Sequence, residues 1–447
     1  VGDRRSWMDD LLASLERESP VRSFAVLARI LEKEFAAVHV SFLITDLGGR
    51  AVVRLPGHTG GADGGPEPLA LAGTVYGHVI HTQRLWTGPA EHTAVDAAGS
   101  PLREGEWESA PAEGGPEAHD DEPTKVVAPV TDRGDAIGLL ELTLPSRPDR
   151  GRLERIREAA HALAYVVIVN RRFTDLYEWG RRTTRLSLAS EIQHRLLPES
   201  FTCDAGPFTV AGSLEPAANI GGDTFDYTLG ERGLTLTLTD AMGHDVRAAQ
   251  LATVVVAALR NARRAGRDLL TQAHAANEAV IEHAVREQRA VTQHSPQVQH
   301  ALAAHGAQAM VTGQLMWVDF ETGEAAFVNA GHTWPLLLRD REAQELTALI
   351  DLPFGIEPHA EYRLQNIALR PGDRLVLITD GMLEPDQDDR SLRRLVEATA
   401  SEHPREAVQT FTRSVLTATD HDPRDDATVL CLDWHNSTHT SGSSSAA

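Results

Sequence analysis

The chain has 447 residues, 42% hydrophobic and 24% charged, a globular composition that at ~150 residues per domain leaves room for about three units. A formal charge of −22 sets an acidic surface against any phosphate backbone, so nucleic acid is excluded as an expected partner. Two cysteines, Cys203 and Cys431, in no paired-thiolate spacing exclude a disulfide framework, a cysteine zinc site and an iron–sulfur cluster.

The opening VGDRRSWMDDLLASLERES is charged and amphipathic, without a signal-peptide core. No apolar run approaches the ~20 residues needed to cross a bilayer. A cytoplasmic protein without a membrane partner is expected. Residues 6–37 read as helix, with Leu11, Leu15, Phe24, Leu27, Leu31 and Phe35 at three- and four-residue intervals. VHVSFLITD and AVVRL read as strands about a turn at Gly48-Gly49, and 56–67 as a Gly/Pro-rich loop. AGTVYGHVIHTQRLW reads as a short helix running into an extended segment. His78 and His81 lie three apart on it, but a His pair without a third ligand is more often surface decoration. Residues 91–123 are rich in Gly, Pro, Glu and Ala, an excursion with little to bury. TKVVAPVTDRGDAIGLLELTLP reads as a hairpin turning at Asp132–Asp135. These elements predict an α+β domain within 1–147.

From Arg152 to Leu197, Leu153, Ile156, Ala160, Leu163, Val167, Leu176, Leu188, Ile192 and Leu196 give a rough a/d seam that only Pro198 stops. One helix of ~45 residues would span about 65 Å. Such an arm, taken over 148–197, predicts a homodimer through the linker; two shorter helices broken near Trp179-Gly180 are the alternative. Beyond Pro198 short apolar runs alternate with helical stretches, over 198–435, and NSTHTSGSSSAA (436–447) is a polar tail.

Two near-identical junctions carry the chemistry. LTLTLTDAMG and RLVLITDGML each alternate like a half-buried strand and end in Thr-Asp-(Ala/Gly)-Met, placing Asp240 and Asp380 where strand becomes turn. Asp223 follows Gly221-Gly222, and Asp425 and Asp426 precede the strand-like ATVLCLDW. A single strand-end aspartate is usually a turn or cap residue. Several clustered together need compensation, because an unpaired buried charge costs several kcal/mol or shifts its pKa. The following positions are Gly, Ala, Met or Thr rather than Lys or Arg. Carboxylates and a backbone carbonyl suit Mg²⁺ or Mn²⁺ better than zinc.

In this order IGGDTFDY, TDAMGHDVRAA, FVNAGHTWPLLL, LPFGI, LRPGDRLVLITDGMLEP and DDATVLCLD resemble the PPM (metal-dependent) serine/threonine phosphatases, specifically the bacterial SpoIIE-like branch, over about 190–435. The resemblance implies a β-sandwich flanked by helices with a centre of two Mn²⁺ or Mg²⁺ ions at one end. Asp240 would bridge the metals, the Ala241 carbonyl would complete one sphere, Asp380 and Asp425 would hold one metal, and Asp223 would act on the other. Asp426 is the second choice beside Asp425. The implied reaction is hydrolysis of phosphoserine or phosphothreonine by metal-activated water, on an anti-anti-sigma-type regulatory protein. VVAPVTDRGDAIGLLELTL and GTVYGHVIHTQRLW resemble the closing hairpin and middle helix of the GAF family, implying a sensor domain with an unidentified small ligand.

The chain departs from the phosphatase pattern at Asp245, where a small residue is usual and helix capping is the expected role. The arginine and histidine with which eukaryotic members hold phosphate and donate a proton are not in register. His244 is a candidate donor, His332 is expected to be structural, and 283–308 reads as a helical insert and substrate-recognition flap. A catalytically weak, partner-binding scaffold is the competing reading. A metal nuclease is opposed by the net charge.

Overall fold

Pro20 has no amide hydrogen to donate and biases its predecessor away from helix, so the helical stretch expected over 6–37 is interrupted at 18–22, and a helix, α1, runs from Ser23 to Glu34. The computed structural model describes residues 14, 16–55, 67–90, 122–184, 186–217, 221–243, 245–292, 309–383, 389–420 and 423–435. The excursion expected at 91–123 (but for its last two residues), nearly all of the loop at 56–67, residues 293–308 of the insert expected at 283–308 and the tail from 436 lie outside them. The chain divides into two units, 1–185 and 186–447.

In the first unit β1 (His39–Thr45), β2 (Ala51–Arg54), β3 (Pro68–Ala70), β4 (Trp86–Pro89), β5 (Thr124–Asp132) and β6 (Asp135–Leu144) form one antiparallel sheet in the order β3-β2-β1-β6-β5-β4. Its central strands β2, β1, β6 and β5 carry buried residues on both faces. Phe42, Ile44, Val126, Leu140 and Leu142 meet α1 and α3 (Arg150–Asn170), while Leu43, Val52, Val127 and Leu139 meet α2 (Val75–Thr82). The hairpin turns between Asp132 and Asp135, where the sequence places it.

The 148–197 stretch is not one arm. It is three helices, α3, α4 (Leu176–Arg181) and α5 (Leu188–Leu196), so breaks fall at 171–175 and 182–187 rather than at Trp179-Gly180. The seam explains why: Ile156, Ala160, Leu163 and Val167 are at most 2% exposed and fill the first unit's own core. Tyr177 on α4 is buried in the same core, and Thr183 just beyond it donates to Asp46. A homodimer through that seam would have to unpack this core. Ser187 then caps α5, accepting from the Ser190 amide, and α5 is the first element of the second unit.

The second unit stacks two antiparallel sheets. One, ordered β15-β12-β11-β10-β9, consists of β9 (Asp223–Leu229), β10 (Gly233–Ala241), β11 (Val311–Asp319), β12 (Glu324–Ala330) and β15 (Gln365–Ala368). The other, ordered β14-β13-β16-β17-β8-β7, consists of β7 (Thr202–Asp204), β8 (Phe208–Glu215), β13 (Leu336–Arg339), β14 (Glu342–Glu345), β16 (Arg374–Ile378) and β17 (Ala427–Trp434). Phe208, Phe225, Leu236, Leu238, Met316, Leu377 and Leu430 fill the space between the sheets. α6 (Asp245–Arg264) and α7 (Leu269–Thr292) cover the first sheet through Leu251, Val255, Ala276 and Val280. α8 (Asp389–Ala398) and α9 (Pro404–Ala418) cover the second through Leu392, Val396, Phe411 and Val415. The fold is the expected α+β class, with a helix-flanked β-sandwich in its C-terminal half. Among the described residues no helix is long and apolar enough to cross a membrane.

Candidate metal centre

β10 alternates Leu234, Leu236 and Leu238, which enter the inter-sheet core, with Thr235, Thr237 and Thr239. At its end Asp240 pairs in register with Asp223, the first residue of β9, so the two carboxylates leave one face of the sheet. Asp223 is 2% exposed. Its Oδ2 accepts from the Thr379 hydroxyl at 2.7 Å and the Thr428 hydroxyl at 2.6 Å. Those threonines stand at the ends of β16 and β17, so one aspartate fastens the two sheets together at this edge of the sandwich. Asp380 follows Thr379 and opens a 3-10 turn, Asp380–Met382, exposed to solvent.

The Asp425–Asp426 pair divides in two. Asp425 is exposed, whereas Asp426 is 1% exposed. Asp426 accepts from the Ala217 amide at 2.9 Å, the Gly222 amide at 3.1 Å and Gln193 Nε2 at 2.6 Å. Gln193, on α5, also donates to the Asp223 carbonyl at 2.9 Å. Its own Oε1 is buried without a hydrogen-bond partner among the described residues, which costs about 1–3 kcal/mol.

The carboxylates feel one another. Burial, then the charges of Asp380, Asp425 and Asp426, push Asp240 above the ordinary carboxylate range. Burial, then Asp240 and Asp426, push Asp223 well up, against the two threonine hydrogen bonds. Burial raises Asp426 despite its amide donors. Among the described residues no Lys or Arg forms an ion pair with Asp223, Asp240 or Asp426. On α6, which covers this sheet, Arg260 and Arg263 are engaged by Asp226 at 3.0 Å each, and Arg260 also donates to the Leu196 carbonyl.

Among the described residues no three His, Cys, Asp or Glu side chains close on one point as a finished metal-binding group. The aspartates converge electrostatically without sharing that point. The donor chemistry nevertheless fits a hard divalent cation: carboxylates only, with Cys203 and Cys431 buried elsewhere in the sandwich. The backbone is shaped to the same end. A Cβ on Gly222 would stand 2.4 Å from the Ala241 carbonyl oxygen, so glycine there keeps that oxygen clear beside Asp240.

His332 has a structural role. It is 3% exposed; Nε2–H donates to the Ile378 carbonyl at 3.0 Å, which leaves Nδ1 to accept from Thr312 at 2.7 Å. His244 and the Asp245 side chain lie outside the described residues. The residues that sequence reasoning passes over are Gln193, Thr379 and Thr428. Thr379 carried a signal, since both junctions read Thr-Asp; a lone Gln in a mixed helix carried none.

Residues 230–435 match the family described as Stage II sporulation protein E (SpoIIE), a span that holds five of the six ordered motifs and begins just after IGGDTFDY. Among solved structures, the phosphatase domain with a regulatory-domain fragment of SpoIIE from Bacillus subtilis is similar at 20% identity and TM-score 0.42, over 52% of this chain and 63% of that one. The RsbU and RsbW domains of Rv1364c from Mycobacterium tuberculosis are similar at 24% identity and TM-score 0.40, over 53% and 62%. The SiaA-PP2C domain of Pseudomonas aeruginosa is similar at 22% and 0.43, over 55% and 94%. The chain thus spans less than two thirds of the first two. No curated protein matches it.

Proposed function

We propose, from the SpoIIE-family match over residues 230–435, that residues 198–435 form a metal-dependent phosphoprotein phosphatase. The observation that carries this reading is Asp240: a strand-end carboxylate facing three others, with a backbone carbonyl kept clear beside it and no Lys or Arg paired to it among the described residues. Asp240, Asp380 and Asp425, with the Ala241 carbonyl, would hold two Mn²⁺ or Mg²⁺ ions, and Asp223 would act on one of them. When bound, the ions make water nucleophilic near neutral pH and offset charge on phosphoryl oxygens.

The protein's own groups do the rest. Thr379 and Thr428 orient Asp223 by holding its Oδ2, which leaves Oδ1 for the ion. Asp426 stays out of the ligand set because its oxygens are taken by amides, whereas Asp425 next to it is exposed to solvent. With no side-chain nucleophile needed, hydrolysis passes through no phosphoenzyme.

The substrate we infer is phosphoserine or phosphothreonine on an anti-anti-sigma-type regulatory protein in the cytoplasm. The first unit, read as a GAF-like sensor over 1–147, would control turnover in response to a small ligand. The test is hydrolysis of p-nitrophenyl phosphate by the full chain with Mn²⁺ or Mg²⁺. Turnover that needs the ion supports the enzyme, and none with any divalent ion would leave only the partner-binding scaffold.

A further inference from the structure

Gln193 is fully buried, yet it belongs to α5, the helix by which the chain passes into the second unit. Both partners of its Nε2, the Asp223 carbonyl and the Asp426 carboxylate, can only accept, so the amide has one possible orientation. That leaves Oε1 without a partner among the described residues. An apolar side chain of the same length would fill the space without stranding an oxygen, so what distinguishes glutamine at this position is its pair of donated hydrogen bonds.

Those bonds reach both ends of the candidate centre. Asp426 is also tied to Ala217 after β8 and to Gly222 before β9, and it is the residue after Asp425. Asp223 is the residue opposite Asp240. One amide therefore fixes the backbone that carries two of the proposed ligands, one in each sheet. α5 is seated against the same turn: a Cβ on Gly221 would lie 3.0 Å from Ala189 Cβ.

We infer that Gln193 is a positioning residue for the metal centre, so that the seating of α5 sets how tightly the aspartates take a divalent ion. This rests on the phosphatase reading for its activity consequence, but not for its binding consequence. A displaced α5 withdraws the Nε2 hydrogens, Asp426 is left with its backbone amide donors alone, and Asp223 and Asp425 lose their fixed separation. The ion then binds weakly, while the chemistry of a filled site is unchanged.

The experiment titrates the full chain with Mn²⁺, by calorimetry and by the Mn²⁺ dependence of p-nitrophenyl phosphate hydrolysis, in wild type, Gln193→Leu, Gln193→Glu and the control Arg195→Ala. Arg195 is exposed on the same helix, and its polar partner among the described residues is Glu191. Both Gln193 variants should weaken Mn²⁺ binding and raise the half-saturating Mn²⁺ at least tenfold, with kcat at saturating Mn²⁺ within about twofold of wild type. Arg195→Ala should change neither. Unshifted Mn²⁺ binding in both Gln193 variants overturns the proposal, as does a loss of kcat that saturating Mn²⁺ does not restore. If Gln193→Leu does not fold, Gln193→Glu, which keeps the volume, decides alone. A wild type that binds Mn²⁺ but hydrolyses nothing sinks the phosphatase reading, and calorimetry still decides the role of Gln193.

Discussion

Gly381 lies against the backbone of Asp426 so closely that a Cβ on it would fall 2.1 Å from the Asp426 carbonyl oxygen. The contact is backbone to backbone, so no rotamer change relieves it. Gly381 follows Asp380 and Asp426 follows Asp425, so this approach sets the separation of the two ligands proposed for one metal. Gly381→Ala should cost on the order of 1–3 kcal/mol of stability by overpacking. It should also lower Mn²⁺-dependent turnover at least tenfold in protein that is still folded. A variant with wild-type turnover and an unchanged melting temperature would show that the junction tolerates more than its geometry allows.

Asp240→Asn separates binding from folding. It removes a charge that three neighbouring carboxylates oppose, so the metal-free variant should melt no lower than wild type near neutral pH. The same change removes the proposed bridging ligand, so activity should fall ~100-fold or more. The rise in melting temperature on adding Mn²⁺, a mass-action effect of ligand binding the folded state, should vanish. Differential scanning fluorimetry with and without Mn²⁺ reads both outcomes. A variant that is less stable without metal would mean that Asp240 is structural.

Glu141 anchors the other unit. It is 3% exposed on β6 and joins three elements: Arg54 of β2 at 2.7 Å, the Tyr76 hydroxyl of α2 at 2.6 Å, and Lys125 of β5 at 3.7 Å. Burial pushes its pKa up, but Arg54, Tyr76 and Lys125 hold it below the ordinary value. Glu141→Ala strands these partners and should destabilise this unit by about 3–5 kcal/mol, at the lower end because Arg54 is partly exposed. Because the depressed pKa stabilises above the unfolded value, that contribution is lost as pH falls into the acid range. In denaturant melts, Glu141→Ala and Tyr76→Phe should not be additive.

Much of the sandwich was legible because its information is local. LTLTLTDAMG and RLVLITDGML each show a period of two followed by a breaker, and they fold as β10 and β16 with their aspartates at the sheet edge. What was not legible depends on partners distant in sequence. The Ile156–Val167 seam has the same period whether it meets a second chain or its own sheet, and it meets its own sheet. Asp425 and Asp426 are identical in composition and differ only in what reaches them, since the amides of Ala217 and Gly222 lie more than two hundred positions away. Gln193 looks like a surface residue until α5 is docked.

His332 gives the sandwich an acid limit of its own. Burial lowers its pKa from 6.5 to about 4, against the favourable bond to the Ile378 carbonyl. Between those values the unfolded chain takes up a proton that the folded chain refuses, so stability rises with pH across that window. The contribution is complete above about pH 6.5 and is lost progressively as pH falls toward 4. At about 1.4 kcal/mol per pKa unit it amounts to ~3 kcal/mol. The buried carboxylates Asp223, Asp240 and Asp426 slope the other way, because their raised pKa values favour proton uptake by the folded state. Total stability therefore does not isolate the histidine, but a comparison does. His332→Gln retains a donor for Ile378 and an acceptor for Thr312 without titrating. Urea melts from pH 7 to 4 should show the variant losing less stability than wild type on acidification, with the gap growing below pH 6.5. Parallel curves would mean that His332 is protonated in the folded protein, and that Thr312 accepts its second hydrogen rather than donating.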